Sequence, residues 1–215
     1  MKIDVIFDTV CPWCYIGKRR LERALAMRPD ICAEIRWRPF LLNPEMPPSG
    51  LDRQTYLERK FGTPYRIQRI LGATNLAAAA EKIYFNFEAI RRTPASVNSH
   101  RLIHLASLSG RQNEVVEAVF YAYFSEGLDI GDLQVLGKIG RDCGLNGQEL
   151  DDYLRSQAGT TAVRSENGRL HRMGVSGIPC YLFNDKYAVS GAQDVEILLR
   201  LMDITGEEEL ETVLR

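Results

Sequence analysis

The feature that most narrows the fold is Cys11-Pro12-Trp13-Cys14, set directly after a short apolar segment and directly before an amphipathic one. Ile3–Phe7 (I-D-V-I-F) is apolar and β-branched, which predicts a short strand buried on at least one face. Tyr15–Met27 carries Ile16, Leu21, Ala24 and Leu25 among Lys18, Arg19, Arg20, Glu22 and Arg23, the pattern of a helix that Arg28-Pro29-Asp30 ends. A second strand is expected where I-R-W-R-P-F alternates with period two from Ile35. Two strands joined by one helix pair in parallel, as a βαβ unit.

The chain then changes character. Asn43–Gly50 is a proline-rich connection, and from Leu51 to about Arg155 the pattern predicts successive helices and no strand. One is capped by Asp52 and runs through Phe61, and a second spans roughly Pro64 to Gly72. Another starts at Ser96 or Asn98 and stops at Gly110. Asn113–Glu126 is apolar nearly all round, so it is expected to be buried, with its aromatic stripe in the core. Asp132–Cys143 and Gln148–Arg155 complete the block. Thr160–Met173 reads as a helix, weakened at Asn167-Gly168 by about 1 kcal/mol relative to alanine. Pro179–Phe183 and Tyr187–Ser190 read as strands, Gln193–Met202 as a helix, and the acidic stretch 207–211 as a final surface helix. The order is βαβ, a helical block, then αββα. It implies an α/β fold with one mixed sheet, in which residues 1–45 and 157–215 form the sheet domain and 46–156 an all-α insertion.

Lys and Arg total 27 against 28 Asp and Glu, so bulk charge gives no reason to expect nucleic acid or a membrane surface as a partner. No apolar run approaches the roughly 18 residues of a membrane span. Asp4 and Asp8 interrupt the N-terminal apolar residues, so a secretory signal is not expected. The five cysteines, Cys11, Cys14, Cys32, Cys143 and Cys180, are odd in number and thinly spread, unlike a disulfide-stapled secreted scaffold. The expected address is the cytoplasm, where a close cysteine pair is catalytic or metal-binding.

Cys11 lies at a helix start, where free N–H groups and the positive end of the helix favour an anion. A free thiol near pKa 8.5 is commonly lowered to about 3.5–7.5 in such a place, which makes Cys11 the attacking thiolate. Cys14, one turn inward, is expected to be less exposed and to resolve the mixed disulfide. Pro12 suits the first helical turn. A zinc site needs two further ligands, and His100, His104 and His171 form no ligand motif with the other cysteines, so no metal is expected. His100 and His104 stand one turn apart; packing or surface roles weigh more than a metal pair. Asp8 either relays a proton to Cys14 or caps the helix. Cys180 is either a third exchanging thiol or a small buried hydrophobe. Cys32 and Cys143 are expected to be buried and inert. Gly174-Val-Ser-Gly-Ile-Pro179 precedes a strand, where a proline can take the cis form.

Together, CPWC after the first strand and GIP before the third make the sequence resemble the thioredoxin fold, and the helical block resembles that of the DsbA-type subclass. The resemblance extends to FrnE-like, DsbA-family oxidoreductases, related to 2-hydroxychromene-2-carboxylate isomerases and kappa-class glutathione transferases. It rests on D-T-V-C-P-W-C-Y-I-G-K-R-R (8–20), R-P-F-L-L-N-P (38–44), H-R-L-I-H-L-A (100–106), M-G-V-S-G-I-P (173–179) and S-G-A-Q (190–193). It implies that Pro179 is cis and packs against the cysteine pair, and that the backbone of Ile178 hydrogen-bonds an incoming peptide or thiol by strand addition. It also implies a glutathione-binding surface near Ser190, Gly191, Ala192 and Gln193, where a helix N-terminus would hold a carboxylate; a plain helix entrance is the other reading.

The function this implies is a thiol–disulfide oxidoreductase acting on protein or small thiols and disulfides. It needs no tightly bound cofactor, and glutathione is a candidate co-substrate. Isomerase relatives carry serine at the position of Cys11, which weighs against their chemistry here. DsbA has Pro-His between its cysteines where this chain has Pro12-Trp13, and that middle pair tunes the redox poise. Pro94-Ala95-Ser96 stands where the family often has Pro-Asn-Thr, so a polar contact at position 95 is missing. Two alternatives remain at this point: a glutathione-dependent isomerase or transferase acting on a small aromatic compound, and a redox-linked, chaperone-like binding module.

Overall fold

The computed structural model describes the backbone of residues 1–213 and the side chains of 1–206. The chain begins with β1 (Lys2–Phe7), α1 (Pro12–Ala26) and β2 (Glu34–Pro39). The middle holds β3 (Leu51–Asp52), α2 (Arg53–Phe61), α3 (Pro64–Ala80), β4 (Arg92–Thr93), α4 (Val97–Ser107), α5 (Gln112–Phe124), α6 (Leu133–Asp142) and α7 (Gly147–Arg155). It ends with α8 (Thr160–Arg172), β5 (Cys180–Phe183), β6 (Tyr187–Ser190) and α9 (Val195–Val213).

Four strands form one sheet in the order β2-β1-β5-β6. β1 and β2 are parallel, as the α1 crossover requires, whereas β5 runs antiparallel to β1 and to β6. β1 is central, and Ile3, Val5, Ile6 and Phe7 are all buried on its two faces. α1 and α9 pack together beside the sheet, and α4 and α8 pack on each other. α5 is the core of the helical block: Val115, Val119, Phe120, Tyr123 and Phe124 are each fully buried. Its Phe120 ring stacks on Tyr15 of α1 at 5.0 Å between centroids, which fastens the block to the sheet domain.

Three expectations are corrected. The middle of the chain contains a strand pair, β3 with β4, each too short to carry an alternating signal. α3 runs on to Ala80 instead of stopping at Gly72, because Ala77–Ala80 favours helix and one glycine costs only about 1 kcal/mol. α9 starts at Val195, two residues later than expected, and continues through the acidic stretch as the same helix. Whether 207–211 face solvent lies outside the described side chains.

Candidate active site

Cys11 occupies the N-cap of α1, in extended backbone, with Pro12 following at the helix start. No side chain caps this helix; the Cys14 N–H donates to the Cys11 carbonyl at 3.0 Å, and the Cys11 residue stands at the positive end of the helix. Both cysteines are free thiols. Cys11 is 7% exposed, Cys14 is 1% exposed, and Trp13 between them is 38% exposed. The Cys14 thiol is pushed well above its ordinary range, first by burial, then by its hydrogen bond to the Cys11 sulfur and by charge on Cys11. The pair is therefore asymmetric: the inner thiol keeps its proton and donates it toward the outer sulfur.

Asp8 closes the other side of this turn. Its main-chain carbonyl accepts the Cys11 N–H at 3.0 Å. Its carboxylate is fully buried and accepts the N–H of Leu42 at 2.7 Å and, more loosely, that of Val10 at 3.4 Å. The capping alternative for Asp8 is thus set aside, since no side chain caps α1 and the Asp8 carboxylate is engaged by the Leu42 and Val10 amides. Charge on Asp8 also helps to raise Cys14. Oδ1, the oxygen that accepts from Val10, also lies 3.3 Å from Nε2 of buried His100. Thr9, also fully buried, shares a 2.7 Å hydrogen bond with the Ser99 hydroxyl. His104, one turn from His100, is exposed, so the two histidines face different surroundings.

The third part comes from the far end of the chain. The Ile178–Pro179 peptide is cis. Ile6 pairs with Cys180 across β1 and β5, so Pro179 falls level with Phe7, the last residue of β1, at the sheet end from which the chain leads into the CPWC turn. A Cβ placed on Gly17 would meet the Tyr181 hydroxyl at 2.1 Å and Pro179 Cγ at 2.9 Å. The absent side chain at Gly17 is what lets α1 lie against this loop. Tyr181 is fully buried, and its hydroxyl is held well above its usual range by burial and then by charge on Cys14. Next to it on β5, Cys180 points to the other face, into a cluster with Ile6, Phe40 and Leu170. Burial raises its thiol as well.

Gly191 donates its N–H to the Pro179 carbonyl, which ties the β6–α9 turn to the proline loop. Arg20 of α1 donates to the Ala192 carbonyl at 2.7 Å and pairs with Asp194 at 2.8 Å. The Gln193 side chain donates to the Ser190 carbonyl at 2.6 Å. Gly191, Ala192 and Gln193 therefore sit beside Pro179 and α1. They precede the first turn of α9, whose neighbouring Asp194 and Glu196 already supply negative charge there.

Cys32 corrects an expectation: it is exposed, because it lies in the turn between α1 and β2. Cys143, at the C-terminal end of α6, is only partly buried. Residue-level reading missed Tyr181, Leu42 and the inward role of His100. The segments 38–44 and 100–106 held the signal, but contacts between them do not follow from spacing. Among the described residues no group of three or more His, Cys, Asp or Glu side chains is arranged to hold a metal.

A parallel strand–helix–strand unit and an antiparallel pair joined in one sheet, with a cysteine pair at the start of α1 and a cis-proline loop beside it, define a thioredoxin-type architecture. The family model for the DsbA-like thioredoxin domain matches residues 2–203, and the chain belongs to that family. It is similar to the crystal structure of the probable DsbA oxidoreductase SCO1869 from Streptomyces coelicolor. The TM-score is 0.88 at 28% identity, covering 97% of this chain and 91% of that one. The fold is shared with a 2-hydroxychromene-2-carboxylate isomerase, at TM-score 0.70 and 16% identity over 99% of each chain. It is also shared with the cytosolic disulfide reductase DsbM from Pseudomonas aeruginosa, solved with GSH, at TM-score 0.64 and 16% identity over 99% of each chain.

Proposed function

We propose that this DsbA-like protein is a cytoplasmic thiol–disulfide oxidoreductase in which Cys11 attacks and Cys14 resolves. The observation that carries this reading is the asymmetry of the pair: an outer sulfur at an uncapped helix start, and an inner thiol held protonated by burial and by that sulfur. In the reducing direction, Cys11 thiolate attacks one sulfur of a substrate disulfide. A Cys11–substrate disulfide forms and the other substrate sulfur leaves as thiolate. Cys14 loses its proton and attacks the Cys11 sulfur, forming the Cys11–Cys14 disulfide and expelling the second substrate thiolate. Two electrons pass from the pair to the substrate, and oxidation follows the same path in reverse. Pro12 and Trp13 set the turn and its potential, and Trp13 offers an exposed aromatic face to the substrate.

Pro179, with the Ile178 backbone, is the docking edge for the substrate. Gly191, Ala192 and Gln193, joined to Pro179 by a hydrogen bond, form the adjoining wall where a glutathione backbone would lie. Glutathione is the proposed small-thiol co-substrate, in keeping with the DsbM relative solved with GSH, and no tightly bound cofactor or metal takes part.

Cys14→Ser tests the assignment. With a disulfide substrate this variant is expected to stop turning over and to accumulate a mixed disulfide on Cys11, read by intact mass. Continued turnover on a small aromatic compound with glutathione, with no trapped adduct, would instead favour isomerase or transferase chemistry, in which Cys14 is dispensable.

A further inference from the structure

We propose that Arg20 is a positioning residue for the substrate-docking edge: from α1, the helix that carries the cysteine pair, it holds the β6–α9 turn and, through that turn, the carbonyl of Pro179. This role rests on the exchange reading above. It also sets which substrates need Arg20: disulfides with peptide groups flanking the reacting sulfur, not bare alkyl ones.

Strand addition requires the main chain of Ile178 to stand at a fixed place relative to Cys11. Little in the loop itself fixes it. Among the described residues, Ser176, Gly177 and Ile178 make no hydrogen bond to another main-chain group. The loop is tied at its two ends. Val175 donates to the Leu170 carbonyl at 3.1 Å, and the Pro179 carbonyl accepts the Gly191 N–H at 2.6 Å. The second tie starts from a residue with a φ of +91°, a conformation that glycine reaches freely but does not enforce. A contact outside the turn must aim that N–H.

Arg20 supplies it. Gly17 and Arg20 stand three residues apart on α1 and so share a face. Gly17 makes room for Pro179 and Tyr181, and Arg20 meets the residues that follow Gly191. Its Nη1 donates to the Ala192 carbonyl at 2.7 Å and pairs with Asp194 at 2.8 Å. Its Nε donates to Glu81 at 2.9 Å. Glu81 is buried at the end of α3, and its other oxygen takes Arg23 at 2.6 Å. The planar fork of Arg20 is therefore held from behind by one carboxylate while its front holds the turn. Arg20 follows Cys14 by less than two turns of the same helix, so the reacting sulfurs and the docking edge are referred to one rigid element. Arg23 shares Glu81 but is exposed, and among the described residues it makes no hydrogen bond to the turn. It is the natural control.

The test uses two mixed disulfides with the same coloured aromatic leaving thiolate. In one probe the other sulfur belongs to the cysteine of a short alanine-flanked peptide with blocked ends, and in the other it belongs to 2-mercaptoethanol. The reduced protein carries Cys32→Ser and Cys143→Ser, which remove the two thiols that are not buried. Cys11 attacks either probe and expels the coloured thiolate; Cys14 then frees the peptide or the mercaptoethanol, followed by mass. Arg20→Gln is expected to lower the second-order rate constant of colour release about tenfold for the peptide probe, the worth of one hydrogen bond, and less than about twofold for the mercaptoethanol probe. Arg20→Lys keeps the charge between Glu81 and Asp194 without the fork, and is expected to lower the peptide rate alone, by about threefold. It carries the test by itself should Arg20→Gln not fold. Arg23→Gln removes an exposed ion pair only, and is expected to keep both rates within about twofold. An Arg20 effect equal on the two probes, no effect on either, or the same peptide-specific loss in Arg23→Gln overturns the positioning role. Permanent retention of both groups on Cys11 by the protein with Arg20 intact would instead overturn the exchange reading, and this role with it.

Discussion

At Gly17 a single added carbon would land 2.1 Å from a buried tyrosine hydroxyl and 2.9 Å from Pro179. Gly17→Ala should therefore destabilise the protein by about 1–3 kcal/mol through overpacking, although alanine is the better helix former by about 1 kcal/mol. Thermal denaturation checks the sign, and a rise in Tm would contradict the packing described. Arg101 is a second residue whose task is structural. It is buried, burial lowers its pKa, and its guanidinium donates to the carbonyls of Tyr153, Ser156 and Ala158 at 2.6–2.7 Å, closing the end of α7. Arg101→Ala removes a donor from each of those carbonyls, leaving Tyr153 with the Ser156 hydroxyl, and is expected to cost about 3 kcal/mol, measured by chemical denaturation. Both residues lie in segments that stand out in the sequence, 8–20 and 100–106. Their roles were not legible there, because each is defined by a partner dozens of residues away.

Between elements, the seam of α1 with α5 combines ring stacking and charge. Lys18 is 2% exposed and pairs with Glu117 at 2.8 Å and with Glu22. Tyr15 donates to Glu117 at 2.7 Å, and Arg19 also pairs with that carboxylate. Burial works to raise the Glu117 carboxyl, but Lys18, Tyr15 and Arg19 outweigh it and hold it below its ordinary value of 4.5. A depressed folded pKa means that this stabilisation is fully present above pH 4.5 and is lost as pH falls through the folded value. Glu117→Gln should therefore lower stability by about 1–2 kcal/mol at neutral pH and narrow the gap from the unaltered protein under acid; a constant gap across an acid titration would contradict this. The edge strand β2 is guarded in a different way. The Gln112 side chain accepts from the Trp37 N–H at 3.0 Å and donates to its carbonyl at 3.1 Å, so an amide stands where another strand would pair. The buried stripe of α5 and the period-two alternation of β2 announced these elements in the sequence. The length of α3 and the pair β3–β4 did not show, since a glycine hid the first and two residues carry no period.

In the whole molecule the helical block connects β2 to α8, and the site is closed by contacts across that connection. Asn167 of α8 accepts the Leu41 N–H at 2.8 Å, and Asp8 accepts that of Leu42 at 2.7 Å, so the chain leaving β2 is held from both sides. Asn167 reads in sequence as a weak point of a helix and is in fact its anchor. The order βαβ, helices, αββα was legible because periodicity survives at each end of the chain. The convergence of Asp8, the Leu42 backbone and His100 was not, because nothing in local pattern tells which buried polar groups will meet. The central claim is that Cys11 and Cys14 interconvert between dithiol and disulfide, and its most direct measurement is redox titration of the protein against glutathione buffers, read by alkylation and intact mass. The account predicts one two-electron transition, with a slope of about 30 mV per tenfold change, in which both thiols vanish together and the mass falls by two hydrogens. A persistent glutathione adduct on Cys11 beside a free Cys14 thiol at every potential would contradict it.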